Sequence, residues 1–174
     1  MEFNTLVRTK LYPIFQKYGF EIAEEFKNIV RFQSSVMKVN VVFNDYDKSH
    51  LVEIGKRGRG LYPLNDNVVK NLFSSQLSIE QVTSEIFVHN LSLLFERQKG
   101  VEILKGNVNP LENFIKQQSK HYTSELVQRQ ALEVVSKAWA TNDYETFVKG
   151  IDEIGIDKVP QSYQLKYKIA KQKL

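Results

Sequence analysis

The stretch Met37-Lys38-Val39-Asn40-Val41-Val42-Phe43 constrains this chain more than any other. Met37, Val39, Val41 and Phe43 recur at period two, which places them on one face of a pleated strand. Lys38 and Asn40 then face solvent. Similar runs flank this strand. Phe20 to about Phe26 and Asn28 to Gln33 come before it, the second carrying Ile29, Val30 and Phe32. Leu51 to Gly55 follows, with Val52 and Ile54 on one face.

The breaks between these runs are Lys27-Asn28, Ser34-Ser35 and the loop Asn44-Asp45-Tyr46-Asp47-Lys48-Ser49. Such links suit hairpins, whereas a parallel crossover needs about a dozen residues or more. Residues 20–55 therefore predict a four-stranded antiparallel meander with one wet face and one face that needs cover.

The flanking segments supply that cover. Phe3, Leu6, Val7, Leu11, Ile14 and Phe15 form a helical stripe over residues 3–18. Pro13 either kinks this helix or opens a second short turn. Gly19 ends it in the left-handed region and delivers Phe20 to the sheet. A short helix is expected at 65–74, capped by Asn65 or Asp66. The strongest helix is read at 78–98, with a capping box from Ser78 to Gln81 and a stop at Gly100. Its apolar residues cover so much of its circumference that it must be largely buried, across the open face of the sheet. Residues 101–109 read as a connector. Beyond Pro110 the pattern is helical: about 110–119, about 122–140, a helix capped by Asn142-Asp143, and a last one at 161–174.

The predicted class is α+β: an N-terminal helix, a four-stranded antiparallel meander covered by a long helix, and a helical C-terminal half. The sheet domain is read as residues 1–105 and the helical region as 106–174, with a hinge at Lys105 to Pro110. The pattern leaves open whether that region packs on the same core. A length of 174 residues suits one domain with a real core, or one domain plus an appendage.

With no cysteine in the chain, disulfides, thiolate metal sites and cysteine catalysis are excluded. No apolar run reaches the length of a membrane span, and the N-terminus lacks the apolar block of a signal peptide. The expectation is a cytoplasmic protein with no membrane partner.

Two basic segments stand out from an otherwise mixed charge pattern. Lys56, Arg57 and Arg59 sit among glycines 55, 58 and 60, where backbone N–H groups and cations could hold a phosphate. The segment has neither P-loop nor dinucleotide spacing. Its plainer reading is a solvated loop leaving the sheet. Lys158, Lys166, Lys168, Lys171 and Lys173 run without an acid, alongside Tyr163 and Tyr167. A basic helix of this kind can meet nucleic acid or an acidic partner, or it can simply be a docked terminal helix with a wet lysine face. Lys56, Arg57, Arg59, Lys166 and Lys171 are the candidate binding residues.

The remaining patterns carry less chemistry. Asp45, Asp47 and Ser49 alternate as calcium ligands do, but the glycine and distal glutamate of an EF-hand loop are missing, so an Asx-type turn is simpler. His50, His89 and His121 fall in no metal or catalytic frame, and His89 is expected at the core or its edge. Glu21 and Glu25 are expected on one face of the first strand with Glu24 opposite, decorating an edge against aggregation. No catalytic, cofactor or metal constellation is assigned, and the reading leans away from an enzyme.

The order of parts also resembles a family. A helix with Leu6 and Pro13 enters Gly19-Phe20, a small meander follows, and a helical tail carries Ala138-Trp139-Ala140-Thr141-Asn142-Asp143-Tyr144. This is similar to small bacterial proteins of the toxin-immunity type. No fixed motif defines the likeness, so no residue role transfers. The resemblance implies a non-catalytic protein that holds a protein partner. The alternative is nucleic-acid or phosphate binding through the basic loop and the lysine-rich helix.

Overall fold

The computed structural model describes residues 2–174 and shows the α+β class. The first helical stripe forms as two helices, α1 (Phe3–Lys10) and α2 (Tyr12–Gln16), with Leu11 between them. Pro13 lies in the first turn of α2, where its missing N–H costs nothing. Gly19, at φ 77°, turns the chain into the sheet.

The strands are β1 (Glu21–Phe26), β2 (Ile29–Gln33), β3 (Met37–Asn44), β4 (Ser49–Lys56) and β5 (Tyr62–Leu64), all antiparallel, in sheet order β1-β2-β3-β4-β5. The expected meander of four strands is thus five. The glycine-rich segment does not leave the sheet; it turns back into it. A Cβ on Gly55 would lie 2.5 Å from the Gly60 carbonyl oxygen, so only glycine lets the turn close. Tyr62 then pairs with Ile54 and Leu64 with Val52. Pro63 argues against a strand in sequence, but β5 is an edge strand, where a missing donor is tolerated.

One face of the sheet is sealed. Val30, Phe32, Met37, Val39, Val41, Val52 and Ile54 are buried there in a core shared with the helices. Phe15 joins the layers: its ring meets Phe32 of β2 edge-on at 4.8 Å, and Phe95 at 5.1 Å. Phe95 belongs to α4 (Ser84–Glu96), which buries Phe87, Val88, Leu91 and Leu94 beside it. Offset or edge-on aromatic pairs of this kind are worth about 1 kcal/mol beyond the area they bury.

The long covering helix starts later than its sequence pattern indicates. α3 (Asp66–Leu72) is capped by Asn65, whose side chain accepts from the Val68 N–H. Asp66 Oδ1 then accepts from the Ile79 and Glu80 N–H groups at 2.6 and 3.0 Å, and Ser78 Oγ donates to Asp66 Oδ2. Ser78 is therefore committed to a clasp, and Thr83 caps α4 instead. Arg97 is extended, and α5 (Gln98–Leu104) forms where a connector was expected. Gly100 lies inside α5 rather than stopping a helix. A Cβ there would come within 2.2 Å of the Leu94 carbonyl oxygen, so glycine permits the tight α4–α5 corner.

α6 (Asn109–Ala140) is one helix of 32 residues where two were expected. From Gln117 to Gln130 every residue is exposed and, apart from Tyr122, Leu126 and Val127, polar, which breaks the apolar period, yet no glycine or proline interrupts them. The chain divides into two compact units, the first ending at Lys116 and the second spanning Gln117–Leu174. The second unit contains the end of α6, then α7 (Tyr144–Ile154), a 3₁₀ turn at Ile156–Lys158 and α8 (Gln161–Lys171). Its own core is Val135, Ala138, Phe147, Val148, Ile151, Val159 and Ala170. Among the described residues no helix is long and apolar enough to cross a membrane.

Candidate interaction surface

The open face of the sheet carries an apolar row that crosses four strands. Phe26 pairs with Ile29, Ile29 with Val42, and Val42 with Leu51. Residues directly opposite one another share a face, and this face is opposite to that of Val30, Val41 and Val52. Phe26 is 57% exposed and Leu51 40%, with Ile29 and Val42 half-buried between them. Ile29, Val42 and Leu51 line a depression of about 480 Å³ walled by Lys27, Asn28, Asn44 and Asp45.

The walls are fixed by the loops that make them. Asn28 Nδ2 donates to Asp45 Oδ2 at 2.6 Å, and Lys27 Nζ lies 3.5 Å from the same oxygen. Asp45 thus ties the β1–β2 turn to the β3–β4 loop. Asn28 reverses the chain at φ 62°, in the left-handed region that asparagine enters more readily than most residues. Asp47 Oδ1 accepts from the Ser49 N–H at 3.0 Å and from Ser49 Oγ at 2.6 Å, and Asn44 Oδ1 accepts from the Tyr46 N–H at 3.1 Å. These are Asx turns: the Asp47 carboxylate serves the loop itself, while that of Asp45 serves the tie to the β1–β2 turn. Among the described residues no three His, Asp or Glu side chains group as a metal site.

Beside the apolar row runs a polar one. Glu24 pairs with Arg31 across β1 and β2 as an ion pair, and Asn40 Nδ2 donates to Glu53 Oε2 at 3.2 Å. An apolar strip bordered by charge has the anatomy of a protein-binding patch. The edge strand β1 does not match its expected register. A bulge between Ile22 and Glu24 places Glu21 and Glu24 on the outer face and Glu25 on the other. Glu25 there forms an ion pair with Arg8 of α1. The three glutamates make no shared carboxylate site.

The candidate basic residues fall into two sets. In the first unit Lys56 ends β4, and Arg57 and Arg59 lie on the β4–β5 turn that follows. The Arg57 N–H donates to the Val36 carbonyl at 2.8 Å, and its guanidinium Nε and Nη2 reach the Gln33 amide oxygen at 3.2 Å. Lys166 and Lys171 lie on α8 in the second unit. The Lys166 ammonium sits over the rings of Trp139 and Tyr163, 5.4 and 5.3 Å from their centres. Lys171 sits 4.8 Å over Tyr167, and hydrogen bonding with the Tyr167 hydroxyl raises its pKa.

None of the three histidines belongs to a metal-binding group among the described residues. His89 and His121 are exposed, so His89 is not a core residue; His121 Nδ1 lies 3.6 Å from Glu125. His50 is the informative one. Its ring stacks on Phe87 at 4.5 Å and on Phe43 at 5.0 Å, and its Nε2 lies 2.9 Å from Ser84 Oγ. The distance suits a nucleophile and its base. The other ring nitrogen does not, because Nδ1 is buried with no hydrogen-bond partner among the described residues. A general base needs its proton on Nδ1, and a buried orphan N–H is rarer in folded proteins than a buried orphan acceptor. The network therefore assigns the proton to Nε2, which donates to Ser84 Oγ, and the pair is a clasp between β4 and α4. Burial holds the His50 pKa below its ordinary value, against the opposing pull of Glu85.

The apolar row was absent from the sequence reading, yet it left a signal. Ile29-Val30, Val41-Val42 and Leu51-Val52 are apolar doublets inside alternating strands. Each doublet must put one member on the wet face. Against protein-family models, curated proteins and solved structures, the chain gives no match.

Proposed function

We propose that this chain is a non-catalytic protein-binding module of the immunity type, holding its partner on the open face of the sheet. The observation that carries this reading is the cross-strand row Phe26–Ile29–Val42–Leu51, exposed at its two ends, half-buried between them and outside the buried core of the first unit. The walled depression over Ile29, Val42 and Leu51 suits one or two apolar side chains of a partner, and the Glu24–Arg31 and Asn40–Glu53 pairs supply a polar rim. Hairpin ties at Asp45 hold the walls before a partner arrives, which lowers the entropy lost on binding.

The test is a comparative capture from native lysate after nuclease treatment, using the wild-type chain and the F26S/L51S variant. A protein retained in near-equal amount by the wild type and lost by the variant supports this reading. Equal retention by both removes the sheet face from it. Retention that vanishes with nuclease moves the function to nucleic acid, and to Lys56, Arg57 and Arg59.

A further inference from the structure

We propose that α8 is a second docking element, which accepts an acidic amphipathic helix from a partner protein. This surface belongs to the second unit and rests on different residues from those of the sheet face. α8 turns Ala170 into the core of the second unit, while Leu165 and Ile169 point outward, 58% and 45% exposed. These two residues are four apart, so they are neighbours on one helical face and make a short apolar seam.

Cations flank that seam on both sides. Lys168 follows Leu165 by three positions, and Lys166 precedes Ile169 by three, the spacings at which helical side chains touch. Lys173 follows Ile169 by four, in the turn where its N–H still donates to the Ala170 carbonyl at 3.0 Å. From Lys158 to Leu174 there is no Asp or Glu. Lys166 is also held in place, since its ammonium rests over Trp139 and Tyr163. A cation anchored on aromatic faces loses less freedom when it meets a carboxylate.

Charge selects the occupant. In paired helices the residues beside the apolar seam choose the partner, and lysines on both flanks call for glutamate or aspartate opposite. A second copy of this chain would set lysine against lysine, which is destabilising. Nucleic acid would reward the lysines, but phosphate contacts give no reason for exposed Leu165 and Ile169 at the centre of the surface.

The test uses the full chain and two synthetic amphipathic peptides of about 18 residues, long enough for partial helicity. Both carry the same leucine seam; one has glutamate on both flanks and the other lysine. Binding is read by fluorescence anisotropy at low and high salt, with circular dichroism checking that each variant keeps its fold. The glutamate peptide is expected to bind about tenfold or more tightly than the lysine peptide, and to weaken with salt. L165S and I169S should each weaken it about tenfold, and K168E should shift preference toward the lysine peptide.

Binding of neither peptide, equal binding of both, or binding unchanged by L165S and I169S would overturn the proposal. So would duplex DNA that displaces the peptide from wild type and I169S alike, or a concentration-dependent dimer abolished by I169S.

Discussion

His50 Nε2 lies 2.9 Å from Ser84 Oγ, while Nδ1 of the same ring is buried with no partner among the described residues. One side of the imidazole clasps α4 to the sheet, and the other stays dry among aromatic rings. Protonation would add a second N–H with nothing to receive it. The folded state therefore disfavours the charged form, as the lowered pKa of His50 indicates.

That shift gives a pH dependence of definite sign. In the unfolded chain His50 titrates near its ordinary value, about 6.5. In the folded chain it titrates lower, so between the two values the unfolded state binds the extra proton. His50 then contributes fully above about pH 6.5, and the contribution falls as the pH drops through the folded value. Urea midpoints measured between pH 7.5 and 5 should decline, and the decline should be shallower in H50F. An identical slope in H50F would remove His50 as its source.

Gly100 and Gly150 are both close to neighbouring helices but should respond differently to alanine. A Cβ at Gly100 meets backbone, the Leu94 oxygen at 2.2 Å and the Phe95 Cα at 2.7 Å. G100A should cost about 2 kcal/mol or more, because the corner has to open. A Cβ at Gly150 meets one side-chain methyl, Val135 Cγ2 at 2.5 Å. The helix gain from alanine, about 1 kcal/mol, offsets much of that contact. G150A should lie within about 1 kcal/mol of wild type in denaturant unfolding.

Asp66 should matter more than its place in a short helix suggests. It accepts from the Ile79 and Glu80 N–H groups and from Ser78 Oγ. D66A leaves two backbone donors without their acceptor and should cost about 2 kcal/mol. Amide exchange at Ile79 and Glu80 should accelerate well before that in β3.

The two faces of the sheet predict opposite outcomes for similar substitutions. V41A opens a cavity against a fully buried side chain and should cost about 2 kcal/mol. L51S, one strand away but on the open face, should change stability by no more than about 0.5 kcal/mol. Thermal or urea unfolding of the two variants checks the assignment of faces. A large loss in L51S would mean that the row serves the fold.

Much of this architecture was legible in the sequence. The alternation at Met37, Val39 and Val41 gave the central strand and its buried face, and Gly19, Asn65 and Asp143 gave turns and caps that depend on their own side chains or backbone freedom. The errors lie where a distant partner decides. Ser78 looks like a helix cap until Asp66 takes it, and the glycine-rich loop looks as though it leaves the sheet until Tyr62 pairs with Ile54. The bulge that separates Glu21 from Glu25 has no local signature. The apolar row became visible only when register set Phe26, Ile29, Val42 and Leu51 side by side, since no two of them are adjacent in the chain.

The most direct measurement is a hydrogen-exchange and methyl-resonance footprint of the chain with and without its captured partner. If the open face holds that partner, the methyls of Ile29, Val42 and Leu51 shift and the surrounding amides slow, while Val39, Val41 and Val52 on the sealed face keep their resonances. A footprint that leaves Ile29, Val42 and Leu51 unchanged would contradict the account.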